Sequence, residues 1–304
     1  MNTAPSPPQR RDRLDPLAVG LLLACCVLWG LNQVAAKVAL AEVPPLTQAA
    51  MRSTGAALLV LLWSRARGIA LFDRDATLRG GLIAGTLFAV EFACIFVGLQ
   101  FTSASRMVVF LYVSPFVVAL GMPLIARGER LAPGQWAGLA VAFAGVAWAF
   151  AEGFAPQVEA PPLQWLGDAL GLAAALTWGA TTLAIRVTRL SGAAAEKTLL
   201  YQLTVSAVLL ALAAPLAGES WPTRWSALSI GSLAFQTVIV TFASYLVWFW
   251  LVRHYPATRL AAFTLATPVA GLAAGVLLLG EPLTLRLAIA LSAVVAGLVL
   301  VNRR

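Results

Sequence analysis

Apolar residues run in blocks of about twenty along almost the whole chain, and polar residues are confined to short gaps between the blocks. A helix needs roughly 20 residues to cross a bilayer's hydrocarbon, where no water satisfies backbone N–H and C=O groups. Ten such helices are predicted, at about 16–40, 45–65, 79–101, 104–126, 133–152, 164–189, 195–217, 226–252, 257–279 and 284–302. The gaps hold Pro, Gly or charge, as at Pro44-Pro45, Arg127-Gly128-Glu129-Arg130 and Glu219-Ser220-Trp221-Pro222. The longest gap, Glu152–Leu163, carries Pro156, Pro161 and Pro162, and no stretch is left over for a soluble domain. The expected fold is therefore all-α, a polytopic membrane protein.

Composition agrees, with 60% hydrophobic and only 11% charged residues. A soluble domain usually carries about 25% charge. The net charge of +8 does not indicate nucleic acid, because the basic residues sit in the interhelical gaps rather than in one patch. With the N-terminus inside, sixteen of the 21 Lys and Arg fall on cytoplasmic loops and flanks, and both termini are expected in the cytoplasm. Residues 1–15 then form a cytoplasmic tail. The apolar run after Arg10, Arg11 and Arg13 continues past Cys25 to Leu40, so it reads as an uncleaved first helix rather than a signal peptide. Cys25, Cys26 and Cys94 lie inside apolar runs without metal-ligand spacing and are expected to pack as small hydrophobes.

The halves of the chain echo one another. Trp29-Gly30 precedes Lys37 in the first segment, and Trp178-Gly179 precedes Arg186 at the same spacing in the sixth. In the fourth, Ser105-Arg106 leads to Phe110, Ser114-Pro115 and Gly128-Glu129; in the ninth, Thr258-Arg259 leads to Phe263, Thr267-Pro268 and Gly280-Glu281. An odd number of helices per repeat makes the second enter the membrane from the opposite side. Two inverted five-helix repeats, at 16–152 and 164–302, are a common secondary-transporter plan, with the substrate site at the midplane seam.

These motifs resemble the EamA domains of the drug/metabolite transporter superfamily, whose members have two EamA repeats and ten helices. The resemblance spans essentially the whole chain. Within it, the chain is similar to YddG-type exporters of aromatic and other amino acids. The resemblance implies a bacterial inner-membrane transporter, with a small-molecule substrate and alternating access. Other members carry unrelated metabolites, so drugs and nucleosides remain alternative cargoes.

Several residues are candidates for the work. Glu91 is the only acid deep inside a predicted span, and such a carboxylate should face the bundle interior or water. It is read as a substrate-amine contact or proton-coupling site, or as a structural partner of Arg52, Lys37 or a hydroxyl. Arg52 and Lys37 are candidates for attracting a substrate carboxylate, with snorkelling to the headgroups favoured for Lys37. Pro115 and Pro268 remove a backbone donor each and crowd the carbonyls of Leu111 and Thr264, which marks hinges or kinks. Trp29, Tyr112, Trp178, Tyr245, Trp248 and Phe263 are candidates for an aromatic cavity wall, with packing as the alternative. Asn32 and Gln236 are the favoured polar cavity residues. Trp63, Trp136, Trp165, Trp221 and Trp225 fit an interfacial belt. Small residues at Gly81/Gly85 and Gly134/Gly138/Ala142 suit close helix packing, within one chain or between two. His254 is the only histidine, and no zinc-protease, nucleophile-elbow or Walker pattern occurs. No enzyme, cofactor or metal is expected, and an ion or substrate gradient must drive any active transport. An intramembrane enzyme or a channel is the alternative of another class.

Overall fold

The computed structural model describes residues 13–73, 75–102, 104–126, 130–149, 151, 163–270 and 285–302. Among these the chain is helical throughout, with no strand. In order come α1 (Pro16–Ala39), α2 (Pro45–Ala66), α3 (Leu78–Gly98), α4 (Ala104–Leu111), α5 (Ser114–Ile125) and α6 (Pro133–Ala149). Then follow α7 (Gln164–Val187), a short 3-10 turn at Arg189–Gly192, α8 (Ala195–Leu216), α9 (Ala227–Ala234), α10 (Tyr245–His254), α11 (Ala257–Phe263) and α12 (Leu285–Asn302). The Gly-Glu pairs of the internal repeat and the Pro-rich stretch 152–162 lie outside the described residues.

Among the described residues five helices are long and apolar enough to cross a membrane: α1, α3, α7, α8 and the continuous Ala227–His254. Val109–Ile125 and Ala288–Val301 are shorter apolar helices. Though 22 residues long, α2 is more polar, because it carries Gln48, Arg52, Ser53 and Ser64; all four are buried among its neighbours. Outward faces are apolar instead, with Leu58, Leu62, Leu120, Leu124, Leu212 and Leu216 exposed. An exposed apolar belt over a partly polar interior is what lipid, not water, selects.

Local chemistry explains the helix ends. Asp15 caps α1 by accepting from the Ala18 N–H at 2.9 Å, and Pro16 opens the first turn. Pro44 leaves α2 without a side-chain cap of its own. Glu219, just beyond α8, supplies one by accepting from Leu46 N, Thr47 N and Thr47 Oγ1, each at 2.8 Å. At the opposite ends, Asp75 beyond α2 holds Lys197 in the first turn of α8, Oδ2–Nζ 2.8 Å. Burial raises the Asp75 pKa, but hydrogen bonds from Lys197 and Thr77 outweigh it and bring it down to about 2. Any stability this contact adds is complete above the ordinary carboxylate range and lost only as pH falls through about 2. The antiparallel α2/α8 pair is thus tied at both ends, and Ser53 and Ser206 meet between them at 2.9 Å. Both helices end on glycine in the left-handed region, Gly68 at φ 64° and Gly218 at φ 77°.

Packing follows the small residues. A Cβ on Gly85 would lie 2.5 Å from Val205 Cβ, so α3 can approach α8 this closely only as glycine. On α6, Gly138 faces Gly297 of α12, whereas Gly134 of the same stripe faces open space. These contacts join helices of one chain. The main partnerships are α2 with α8, α6 with α12, α3 with α7 and α8, and α1 with the α9–α10 rod.

The prolines break their helices rather than kinking them. α4 stops at Leu111, Tyr112 and Val113 form a turn, and Pro115 sits in the first turn of α5. Likewise α11 stops at Phe263, Thr264 and Leu265 turn, and Pro268 lies in the first helical residues beyond them. Proline is tolerated in a first turn because its missing N–H has no intrahelical partner there. A ten-residue π-helix, Phe235–Ser244, lies between α9 and α10. π-Segments of this kind are uncommon and frequent at functional sites.

Candidate functional site

A central cavity opens among α1, α2, α3, the α4–α5 turn, α7, α8 and the π-helix–α10 rod. Its non-atom space, counted out to the open mouth, is about 900 Å³. α1 contributes Trp29, Asn32 and Ala36; α2 contributes Arg52; α3 contributes Phe88, Glu91, Phe92, Ile95 and Phe96. Leu111 and Tyr112 come from the broken α4–α5 segment, Trp178, Thr181, Thr182 and Ile185 from α7, and Gln202 from α8. Val240, Tyr245, Trp248, Phe249 and Val252 complete the wall.

The aromatic part is built from edge-to-face contacts. Trp29 meets Tyr245 at 6.0 Å and Trp248 at 5.4 Å between ring centroids, and its Nε1–H donates to Ser244 Oγ at 2.8 Å. Tyr112 meets Trp178 at 5.7 Å. The two Trp-Gly motifs therefore place a tryptophan on the cavity wall from each half. Gly179 shows why glycine follows: a Cβ there would lie 2.6 Å from Val117 Cβ on α5.

The charged part is Arg52 and Glu91. Arg52 is fully buried, with its guanidinium carbon 4.0 Å from the Phe92 ring centroid and 5.6 Å from that of Phe96. Its Nη2 donates to Tyr245 Oη at 3.4 Å, a long bond. Nε and Nη1 have no hydrogen-bond partner among the described residues. Glu91, 6% exposed, lies on the same wall and interacts electrostatically with Arg52. Among the described residues no salt bridge joins the two. Polar atoms without a protein partner continue around the cavity at Asn32 Oδ1 and at both amide atoms of Gln202.

The structure thus brings together Trp29, Asn32, Arg52, Glu91, Tyr112, Trp178, Tyr245 and Trp248. Three other candidates stand elsewhere. Lys37 is exposed in the last turn of α1. Gln236 is buried behind the wall and accepts from Gln48 Nε2 at 3.1 Å. Phe263 is packed in the core off the cavity, its carbonyl 3.7 Å from Cys26 Sγ. Pro115 and Pro268 lie at helix breaks rather than on the wall, although Pro115 stands three residues from Tyr112. Arg106 pairs with Asp168 of α7, which Thr102 Oγ1 also reaches at 2.7 Å. Thr181, Thr182, Gln202 and the Phe88–Phe92–Phe96 row were not among the strongest sequence candidates. The i, i+4 spacing of those phenylalanines and their span-mate Glu91 is the signal that finds them.

Comparison with known proteins matches this architecture to one family. The model of the EamA-like transporter family matches twice, at residues 16–151 and 165–303. An uncharacterized transporter of Bacillus subtilis, YvbV, is 29% identical over 298 residues, covering 96% of this chain and 94% of that protein. A probable amino-acid metabolite efflux pump of Escherichia coli is 27% identical over 271 residues, covering 87% of each chain. One crystal structure superposes with a TM-score of 0.77 at 20% identity, over 93% of this chain and 97% of the other, which shows a shared fold. With two family matches covering nearly the whole chain, this multi-pass membrane protein belongs to the EamA-like transporter family.

Proposed function

We propose that the chain is a secondary transporter that exports amino acids, aromatic ones included, or related small metabolites from the bacterial cytoplasm. It works by alternating access to the central cavity and is a carrier, not an enzyme. The observation that carries the reading is the cavity itself: aromatic walls drawn from both family repeats surround a buried guanidinium and a buried carboxyl group. A charge in a membrane interior is costly and is retained for pathways and ligand contacts.

Ten spans follow if α4 with α5 form the fourth, α9 through α10 the eighth, and α11 begins the ninth. An inverted-repeat relation is supported by features that recur about 150 residues apart: Trp29 with Trp178, Gly68 with Gly218, and the broken helices at Pro115 and Pro268. The partnerships of α2 with α8 and of α6 with α12 are those a two-fold axis would map onto themselves. Because α2 and α8 are tied at both ends, they act as the fixed pillar, and the helices broken at Pro115 and Pro268 bend. Both termini face the cytoplasm of an inner membrane. Protons are the proposed coupling ion, through Glu91. The efflux named for the E. coli relative supports the outward direction.

Proteoliposomes preloaded with unlabelled amino acids test the proposal. Labelled amino acid outside should accumulate transiently by counterflow, saturably and faster with an imposed pH gradient. Unsaturable flux would indicate a channel. Counterflow only with drugs or nucleosides would move the substrate class.

A further inference from the structure

The side chain of Arg52 is held in an unusual state for a buried guanidinium. Such groups normally pair closely with a carboxylate, because the desolvation of an unpaired charge is not recovered otherwise. Here a carboxylate is at hand in Glu91, yet no N–O contact of salt-bridge length forms. Stacking on Phe92 at 4.0 Å and the contact with Tyr245 Oη hold the guanidinium in place. Tyr245 engages Nη2 alone, and Nε and Nη1 have no partner among the described residues. The two edges of a guanidinium that grip a carboxylate both use Nη2, one with Nε and one with Nη1. Tyr245 takes only one of the two Nη2 hydrogens, so one edge keeps two parallel N–H donors for a carboxylate. Elsewhere the wall is ring-lined through Trp29, Tyr112 and Trp178, and among the described lining residues Arg52 is the one cation.

We infer that Arg52 is the carboxylate-binding residue of this cavity, and that the ligand is a carboxylate whose remaining body is apolar and of aromatic size. The inference rests on the carrier proposed above. The ligand's carboxylate docks on the free edge of Arg52, and its body lies against the tryptophan and tyrosine rings. A ligand lacking the acid group leaves the buried guanidinium unpaired and so binds weakly.

The test is ligand binding to the full chain in lipid nanodiscs, read from intrinsic tryptophan fluorescence. The probes are L-phenylalanine, 3-phenylpropionate and phenethylamine, which differ in the charged group they carry. Both carboxylates should bind, with phenethylamine weaker by roughly 30-fold or more. In Arg52→Gln that difference should vanish, and Arg52→Lys should keep part of it. If Arg52→Gln does not yield monodisperse protein, the wild-type series and Arg52→Lys decide. Equal binding of phenethylamine and the acids, retained discrimination in Arg52→Gln, or no binding of any probe overturns the inference. Its failure is separable from that of the carrier. Counterflow of solutes without an acid group would keep the carrier and remove the role of Arg52. Carboxylate binding without counterflow would do the reverse.

Discussion

Glu91→Gln should stop transport while leaving the protein expressed and monodisperse. The carboxylate is 6% exposed on the cavity wall, and no hydrogen bond from a described residue depends on it. Glutamine matches its shape, so the aromatic walls around it should not repack. What disappears is the ionisable carboxyl, and with it either a contact to a substrate amine or, in the proposed coupling, the group that takes up and releases the proton. Losing one partner of a desolvated charged contact costs about 2–5 kcal/mol, so counterflow should fall by roughly 30-fold or more. Measuring counterflow across a pH series separates the roles. A variant that exchanges substrate but no longer responds to a pH gradient assigns Glu91 to coupling. Wild-type transport with unchanged pH dependence removes it from the mechanism.

The second large effect concerns folding. Gly138→Leu should destroy the α6/α12 seam, and Gly134→Leu, one turn earlier, should not. A Cβ on Gly138 would lie 2.6 Å from the Gly297 carbonyl oxygen and 2.7 Å from Leu300 Cβ. A Cβ on Gly297 would lie 2.6 Å from Ala142 N, so the two glycines lock backbone against backbone. Neither atom is the tip of a flexible side chain, and relief requires parting the helices along their length. Overpacking of this kind costs about 3 kcal/mol. Gly134 has open space where its Cβ would go. Thermal unfolding of both variants in the same lipid or detergent checks the contrast. Equal melting of the two would mean that the seam does not hold these helices together.

Much of this architecture is legible in the chain because lipid imposes strict rules on length and polarity. The apolar blocks give the helices, and their edges agree with the structure within a few residues for α1, α2, α7 and α8. Buried charge is equally legible: Arg52 and Glu91 stand out from sequence because a charge in mid-membrane needs a reason. Less legible are the features that depend on contacts between distant segments. The π-helix at Phe235–Ser244 has no local proline to announce it. That Glu219 caps α2 depends on two loops meeting 173 residues apart. Helical periodicity does not say which aromatic faces the cavity, which is why Trp29 and Trp178 line it and Phe263 packs elsewhere. Pro115 and Pro268 announce a disturbance, but whether the helix bends or stops depends on the turns at Tyr112–Val113 and Thr264–Leu265.

The proposed carrier requires a single cavity that each side of the membrane reaches in turn. Thr181→Cys, made with Cys25, Cys26 and Cys94 replaced, places one thiol on that wall. A membrane-impermeant maleimide applied to right-side-out and to inside-out vesicles should label it from both faces, with substrate slowing each reaction. Labelling from one face alone, whatever the substrate or pH gradient, would contradict it.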